Sequence, residues 1–172
     1  MDEKSLITAA QQGDASAFGT LYEQYAGRLY HYALWRLADT DDAQDAVQDC
    51  ALQAWQSLSS LKHTEAFSAW LFRILYRCCC RKIAEQAKRR QHRDIADYAE
   101  RLTDSNAFSG DTAVALKKAL SRLSEKDREI VLLSVIGGLQ SKELAALLHM
   151  TPAAVRQRLH RSLGKMKQEL KE

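Results

Sequence analysis

The chain has 172 residues, 46% of them hydrophobic, with one proline and seven glycines, which is enough apolar material for one or two small packed units. Its first ten residues are largely acidic and polar, and no apolar run approaches the ~18 residues a bilayer requires, so neither a secretion signal nor a membrane span is expected and the chain reads as cytoplasmic. The net charge of +3 is unevenly spread: residues 39–49 hold five aspartates and no cation, 70–93 hold eight Lys or Arg against Glu85 alone, 94–111 are acidic again, and 141–172 carry seven cations against three acids. Two basic segments separated by an acidic one suggest two contacts with a polyanion.

Apolar residues recur at three- and four-residue steps through Phe18, Leu21, Tyr22, Tyr25, Leu29 and Tyr32, then through Ala43, Val47, Cys50, Ala54 and Leu58, then through Phe67, Leu71, Leu75 and Cys78. These predict three helices forming one N-terminal unit over residues 1–90. On the second helix, Asp42, Asp45, Asp49 and Gln56 line the face opposite Val47 and Ala54, and an acidic face beside a basic stripe suits a basic protein partner better than DNA. On the third, Arg73, Arg77 and Arg81 repeat every four residues with Trp70 on the same side, a combination that suits single-stranded or melted nucleic acid. The four cysteines, Cys50 and the run Cys78, Cys79 and Cys80, contain no CxxC pair. Adjacent cysteines on a helix point about 100° apart, so a zinc site with His63 is disfavoured and reduced thiols are expected. No metal and no cofactor are expected.

Residues 91–112 have weak periodicity and several Ser, Asp, Asn and Gly residues, and are assigned as a linker. A flexible chain of this length reaches roughly 26 Å between its ends. Helices resume through Leu116, Leu120 and Leu123, then Ile130, Leu133 and Ile136, where Gly137 and Gly138 stop the turn. A short helix from 141 to 148, a turn at His149 and Met150, and a long helix complete a helix-turn-helix in a C-terminal unit over 113–172. Thr151 is placed as the N-cap of the long helix, with Pro152 in its first turn. Val155, Leu159, Leu163 and Met166 are expected to face the core. Opposite them lie Ala153, Ala154, Gln157, His160 and Arg161, with Arg156 on one flank and Arg158 and Lys165 on the other. Such a helix suits the major groove, its tip and face reaching base edges while its flanks hold phosphates. Ser141, Lys142 and Thr151 join these as DNA contacts. No strand alternation appears, so the chain is all-α in two helical domains joined by a flexible linker.

The stretches DDAQDAVQDCALQAWQSL, AFSAWLFRILYRCCCRK and ALSRLSEKDREIVLLSVIGGLQSKELAALLHMTPAAVRQRLHRSL resemble regions 2 and 4 of an extracytoplasmic function (ECF) sigma factor, in order and over nearly the whole chain. The resemblance implies a transcription initiation factor without a catalytic site, directing core RNA polymerase to promoters. By position, Asp42, Asp45, Gln48 and Asp49 would face the β′ clamp helices, and region 4 would also dock on the β flap. Lys62, His63, Thr64 and Glu65 would capture a base flipped from the melted nontemplate strand. Trp70, Arg73, Arg77 and Arg81 would follow the minus-ten DNA, and the C-terminal helix-turn-helix would read the minus-thirty-five duplex. An anti-sigma factor is the further expected partner, able to hold the chain at the inner membrane without direct insertion.

The sequence also departs from the family pattern. Ser124 stands for a proline, Gln140 for a serine, Ala153 and Ala154 for a Gly-Thr pair, Arg77 for an asparagine and Arg81 for an aspartate. Two other classes fit less well. A one-component regulator would need a sensor or dimerisation domain, and a metal-dependent helical hydrolase would need an HExxH or paired-carboxylate motif that the sequence lacks.

Overall fold

A computed structural model describes residues 1–91 and 110–171. The chain divides into two compact units, Met1–Leu102 and Thr103–Glu172. Every regular element among the described residues is helical. Most of the expected linker lies outside the described residues; of its ends, Gln91 closes a helix and Asp111 and Thr112 open the next one.

The first unit is built from α1 (Glu3–Gln11), α2 (Ala15–Leu37), α3 (Thr40–Ser57) and α4 (Phe67–Gln91), with two short 3-10 turns, Leu58–Ser60 and Thr64–Ala66, between α3 and α4. Its first three helices each begin at an aspartate. The carboxylates of Asp2, Asp14 and Asp39 accept from the backbone N–H groups of Ser5, Ala17 and Asp42 at 2.8, 3.0 and 2.9 Å. Such caps satisfy otherwise orphaned donors and hold negative charge at the positive end of the helix dipole. α2 ends where Ala38 turns left-handed, with φ 53°.

α1 is an element the periodicity did not predict, so the described residues of this unit form four α-helices where three were expected. Its first residues are polar, yet Leu6, Ile7 and Ala10 are buried. Much of the remaining core follows the expected positions, with Leu21, Leu29, Tyr32, Leu58, Phe67, Leu71 and Leu75 fully buried; Phe72, outside the expected set, is buried with them and meets Tyr32 edge-on at 6.1 Å, and α3 packs on both α2 and α4. Burying rings of this size contributes a large share of the unit's hydrophobic stabilisation.

The second unit contains α5 (Asp111–Ser121), α6 (Glu125–Val135), α7 (Ser141–Leu148) and α8 (Pro152–Lys171). Ser124 caps α6 by accepting from the Asp127 N–H at 3.1 Å. A serine therefore starts this helix well at the position where the resemblance implies a proline. Gly138, at φ 69°, lets the chain reverse after α6, a conformation that costs a glycine little. α8 packs against α5, α6 and α7 around Leu120, Leu123, Ile130, Leu133, Leu144 and Val155.

One rim position of α8 differs from expectation. Leu163 is 42% exposed, while Ser162 is 2% exposed and buried with Val155 and Met166. At about 100° per residue the buried arc is centred between positions 155, 162 and 166, and Leu163 lies at its edge. The helix is rotated slightly from the orientation that apolar spacing alone implies.

Candidate nucleic-acid and partner interfaces

In the second unit the helix-turn-helix has the expected bounds. Gln140 opens α7, its backbone N–H donating to the Glu143 carboxylate at 2.8 Å, a contact that does not depend on the side chain at position 140. His149 closes α7 in a left-handed conformation, φ 55°, which redirects the chain within two residues. Thr151 then accepts from the Ala154 N–H at 3.2 Å, and Pro152 begins α8. Gln157 falls almost diametrically opposite the buried arc. Ala153, Arg156, His160, Arg161 and Lys165 are exposed with it, as are Lys142 and Thr151, while Ala154 and Ser141 are partly covered.

Arg158 is placed differently from its neighbours. Its guanidinium donates to the Asp127 carboxylate of α6 at 2.9 Å, with side-chain exposures of 36% and 20%. The pair ties α8 to α6, and Arg158 is partly withdrawn from any phosphate.

In the first unit, α4 presents Trp70 and Arg73 partly covered and Arg77 and Arg81 exposed. Arg81 also donates to the Cys78 sulfur at 3.3 Å. The segment 62–65 leads directly into α4 through the second 3-10 turn, with Lys62, His63 and Glu65 exposed and Thr64 partly covered. His63 and Glu65 face each other at 3.8 Å, and both are more than three-quarters exposed. The loop and the arginine stripe are therefore continuous in the chain. The structure adds Arg36 of α2, whose guanidinium lies over the Tyr76 ring at 5.9 Å and reaches Cys80 at 3.8 Å. A contact between two helices was not readable from either helix alone.

The acidic face of α3 needs a correction. Asp42 was expected to be presented to a partner, but it is 5% exposed. Its carboxylate accepts from Arg89 at 2.7 Å and Gln86 at 2.8 Å, both on α4, so it is an internal strut. A carboxylate taken out of water needs such donors, and here they lie more than 40 residues away in sequence. Asp45 stays exposed but shares Lys82 with Glu85, at 3.4 and 3.3 Å. Burial pulls the Lys82 ammonium down, but the carboxylates of Glu85 and Asp45 outweigh it and hold its pKa above the ordinary value. Gln48 and Asp49 are exposed.

Next to them is a feature that sequence reasoning missed. Leu52 and Trp55 are 57% and 36% exposed, and the Trp55 ring lies 5.2 Å from Phe18 of α2. Gln48, Leu52 and Trp55 are spaced four and three apart, so they form one ridge with a polar end and an apolar end. Their four- and three-residue spacing is the signal for this ridge in the sequence.

The thiols are mostly interior. Cys50, Cys78 and Cys79 are buried and Cys80 is partly covered. Burial pushes the Cys50 thiol far above its ordinary range and raises Cys78, against which the Arg81 contact pulls down. Among the described residues no group of three or more His, Cys, Asp or Glu converges as a metal site would require, and no helix is long and apolar enough to cross a membrane.

Comparison with known proteins gives these surfaces a family. The sigma-70 region 2 pattern matches residues 21–90, and the sigma-70 region 4 pattern matches residues 113–166. The chain is 30% identical over 176 residues to the RNA polymerase sigma factor NccH of Alcaligenes xylosoxydans xylosoxydans, covering 95% of this chain and 92% of that one. It is 26% identical over 166 residues to the ECF RNA polymerase sigma factor SigM of Mycobacterium tuberculosis, covering 95% and 82%. Among solved structures it is similar to CnrH in complex with the cytosolic domain of CnrY, at a TM-score of 0.70 and 25% identity, covering 98% and 97% of the two chains. Two matched regions in the order of their helices, and relatives aligned over nearly their full lengths, make this chain a member of the ECF group of sigma-70 family sigma factors, which are transcription initiation factors.

Proposed function

We propose that the chain binds core RNA polymerase and directs it to a promoter whose minus-ten element is recognised and melted by the first unit, and whose minus-thirty-five element is read by the second. The observation that carries this reading is the geometry of α8. Ala153, Gln157, His160 and Arg161 form an exposed face opposite a packed one, at the end of a short helix and a tight turn. A helix held in this way can place an amide and an arginine on base edges in the major groove. The segment 62–65 with Trp70, Arg73, Arg77 and Arg81 would take the melted nontemplate strand, phosphates meeting arginine and an unstacked base meeting a ring or a pocket. No covalent chemistry is needed, because opening is driven by binding energy directed at unpaired bases.

The polymerase-facing surface is the α3 ridge of Asp45, Gln48 and Asp49, extended by Leu52 and Trp55. Its mixture of carboxylate, amide and apolar contacts suits a basic helical partner such as the β′ clamp helices, with the β flap a second anchor on region 4. An anti-sigma factor is a further partner. Support comes from CnrH, a similar protein over nearly the whole chain, which is found in complex with the cytosolic domain of CnrY. Such a partner would hold the sigma factor inactive in the cytoplasm or at the inner membrane.

Run-off transcription with core enzyme, followed by genome-wide mapping of start sites, tests the assignment directly. The double variant Gln48→Ala/Asp49→Lys is expected to abolish association with core enzyme while leaving helical content intact. Unchanged association would remove the α3 ridge from the proposal.

A further inference from the structure

The segment 62–65 is held at both of its roots by α1. Gln11, the last residue of α1, sends its carboxamide Nε2 to two backbone carbonyls, Leu58 at 3.1 Å and Leu61 at 2.8 Å. Those carbonyls bound the first 3-10 turn, and Leu61 is the residue immediately before the segment. Both leucines are buried, so the two oxygens have little water to turn to. The Leu61 N–H returns to the Leu58 carbonyl at 3.1 Å, closing the turn that Gln11 clasps.

At the other root, the Ala66 N–H donates to the His63 carbonyl at 3.0 Å, and Phe67 is fully buried against the edge of Tyr25 at 5.3 Å. The Tyr25 hydroxyl donates to Glu3, near the start of α1, at 3.0 Å. Burial, and then this hydrogen bond, push the Tyr25 pKa up to about 12. α1 therefore reaches both ends of the segment, and it packs against both 3-10 turns. Between the roots, Lys62, His63 and Glu65 stay open to solvent, with one long contact across the tip. Fixed roots and an open tip are what a receptor for a single extruded base requires, since a loop that must be ordered on binding loses affinity and selectivity.

We infer that Gln11 is a positioning residue for base capture: its two hydrogen bonds set the root of the 62–65 loop before DNA arrives. The inference rests on the proposal that this loop takes a flipped base, and the test separates the two. Gln11→Glu keeps the shape of the side chain but removes both donors and points a carboxylate at two carbonyls. Gln11→Met, uncharged and of similar length, is measured beside it so that charge and lost hydrogen bonds are distinguished and one variant remains if the other does not fold. A third variant replaces Lys62, His63, Thr64 and Glu65 with alanine.

Each full-length variant is bound to core polymerase and titrated with a fluorescent nontemplate-strand oligonucleotide from a mapped start site, and with versions made abasic at each minus-ten position in turn. The Gln11 variants are expected to lose ~5-fold or more of the preference for the intact strand at one position, with preferences at the others and affinity for core polymerase unchanged. The loop variant should lose the same preference at the same position. Full preference in the Gln11 variants alongside its loss in the loop variant overturns the role of Gln11 alone. Equal weakening at every position shows Gln11 to be merely structural and overturns it also. Full preference in the loop variant overturns base capture by this loop, and the inference with it.

Discussion

Residues 110–171 contain no Phe, Tyr or Trp, whereas residues 1–91 hold all three tryptophans together with Phe18, Phe67, Phe72 and five tyrosines. Some of these rings fill the first core, as Tyr32 and Phe72 do, and others reach the surface, as Trp55 and Trp70 do in part. The second unit closes its smaller core with Leu, Ile, Val, Ala and Met. Stacking on an unpaired base needs a flat apolar face, whereas reading a duplex edge needs an amide or a guanidinium on a rigid helix. The contrast in composition fits the proposed division between melted strand and intact duplex: both units carry arginines on helices, but residues 110–171 offer no ring on which an unpaired base could stack.

The largest effect should come from the ring that holds the first core together. Phe72 is fully buried, meets Tyr32 edge-on and lies under the Arg28 guanidinium at 5.4 Å. Phe72→Ala is expected to cost about 3–5 kcal/mol, read as a lowered denaturant midpoint in tryptophan fluorescence. Because every tryptophan is in the first unit, the matching change Leu144→Ala should be visible in helicity and nearly silent in fluorescence. A strong fluorescence response to Leu144→Ala would mean that the two cores do not melt separately.

A smaller effect sets strand against duplex. Trp70→Ala should weaken binding of a pre-melted minus-ten strand by about 1–3 kcal/mol and leave minus-thirty-five duplex binding alone. Arg161→Ala should do the reverse, losing about 1–3 kcal/mol of discrimination at one base pair. The opposite pattern, measured by anisotropy on the two probes, would break the division.

The smallest effect concerns cations within the second unit. Arg158→Ala breaks a partly exposed pair with Asp127 and should cost no more than ~1 kcal/mol of stability. Asp127→Asn releases the guanidinium, and the salt dependence of duplex binding should steepen by roughly one phosphate contact. An unchanged slope would show that Arg158 faces away from the backbone even when unpaired.

These cases also show what the sequence could and could not convey. The helix-turn-helix was legible to the residue because capping is local: Thr151, Pro152 and the short apolar run of α7 lie within a dozen positions. The apolar spacing of α2 and α4 was legible because helical periodicity is local too, although Phe72 lay outside the repeat. α1 escaped because Leu6, Ile7 and Ala10 are too few apolar anchors to stand out in a polar stretch, and its burial depends on α2. Asp42 and Arg158 looked like surface charges because their partners, Arg89 and Asp127, lie 47 and 31 residues away. Leu163 and Ser162 exchanged roles at the rim because a small rotation of α8 decides which edge position is covered. Surface charge on a helix is thus readable as composition, and its availability only as tertiary structure.

The interior placement of the thiols has a practical consequence for spectroscopy. Cys50, Cys78 and Cys79 are buried, so a maleimide dye applied to the folded chain meets chiefly Cys80, which is partly covered beside Arg36 and lies between Arg77 and Arg81 on α4. The protein therefore supplies its own labelling position within the arginine stripe, and a donor there could follow strand capture in real time without any cysteine being engineered.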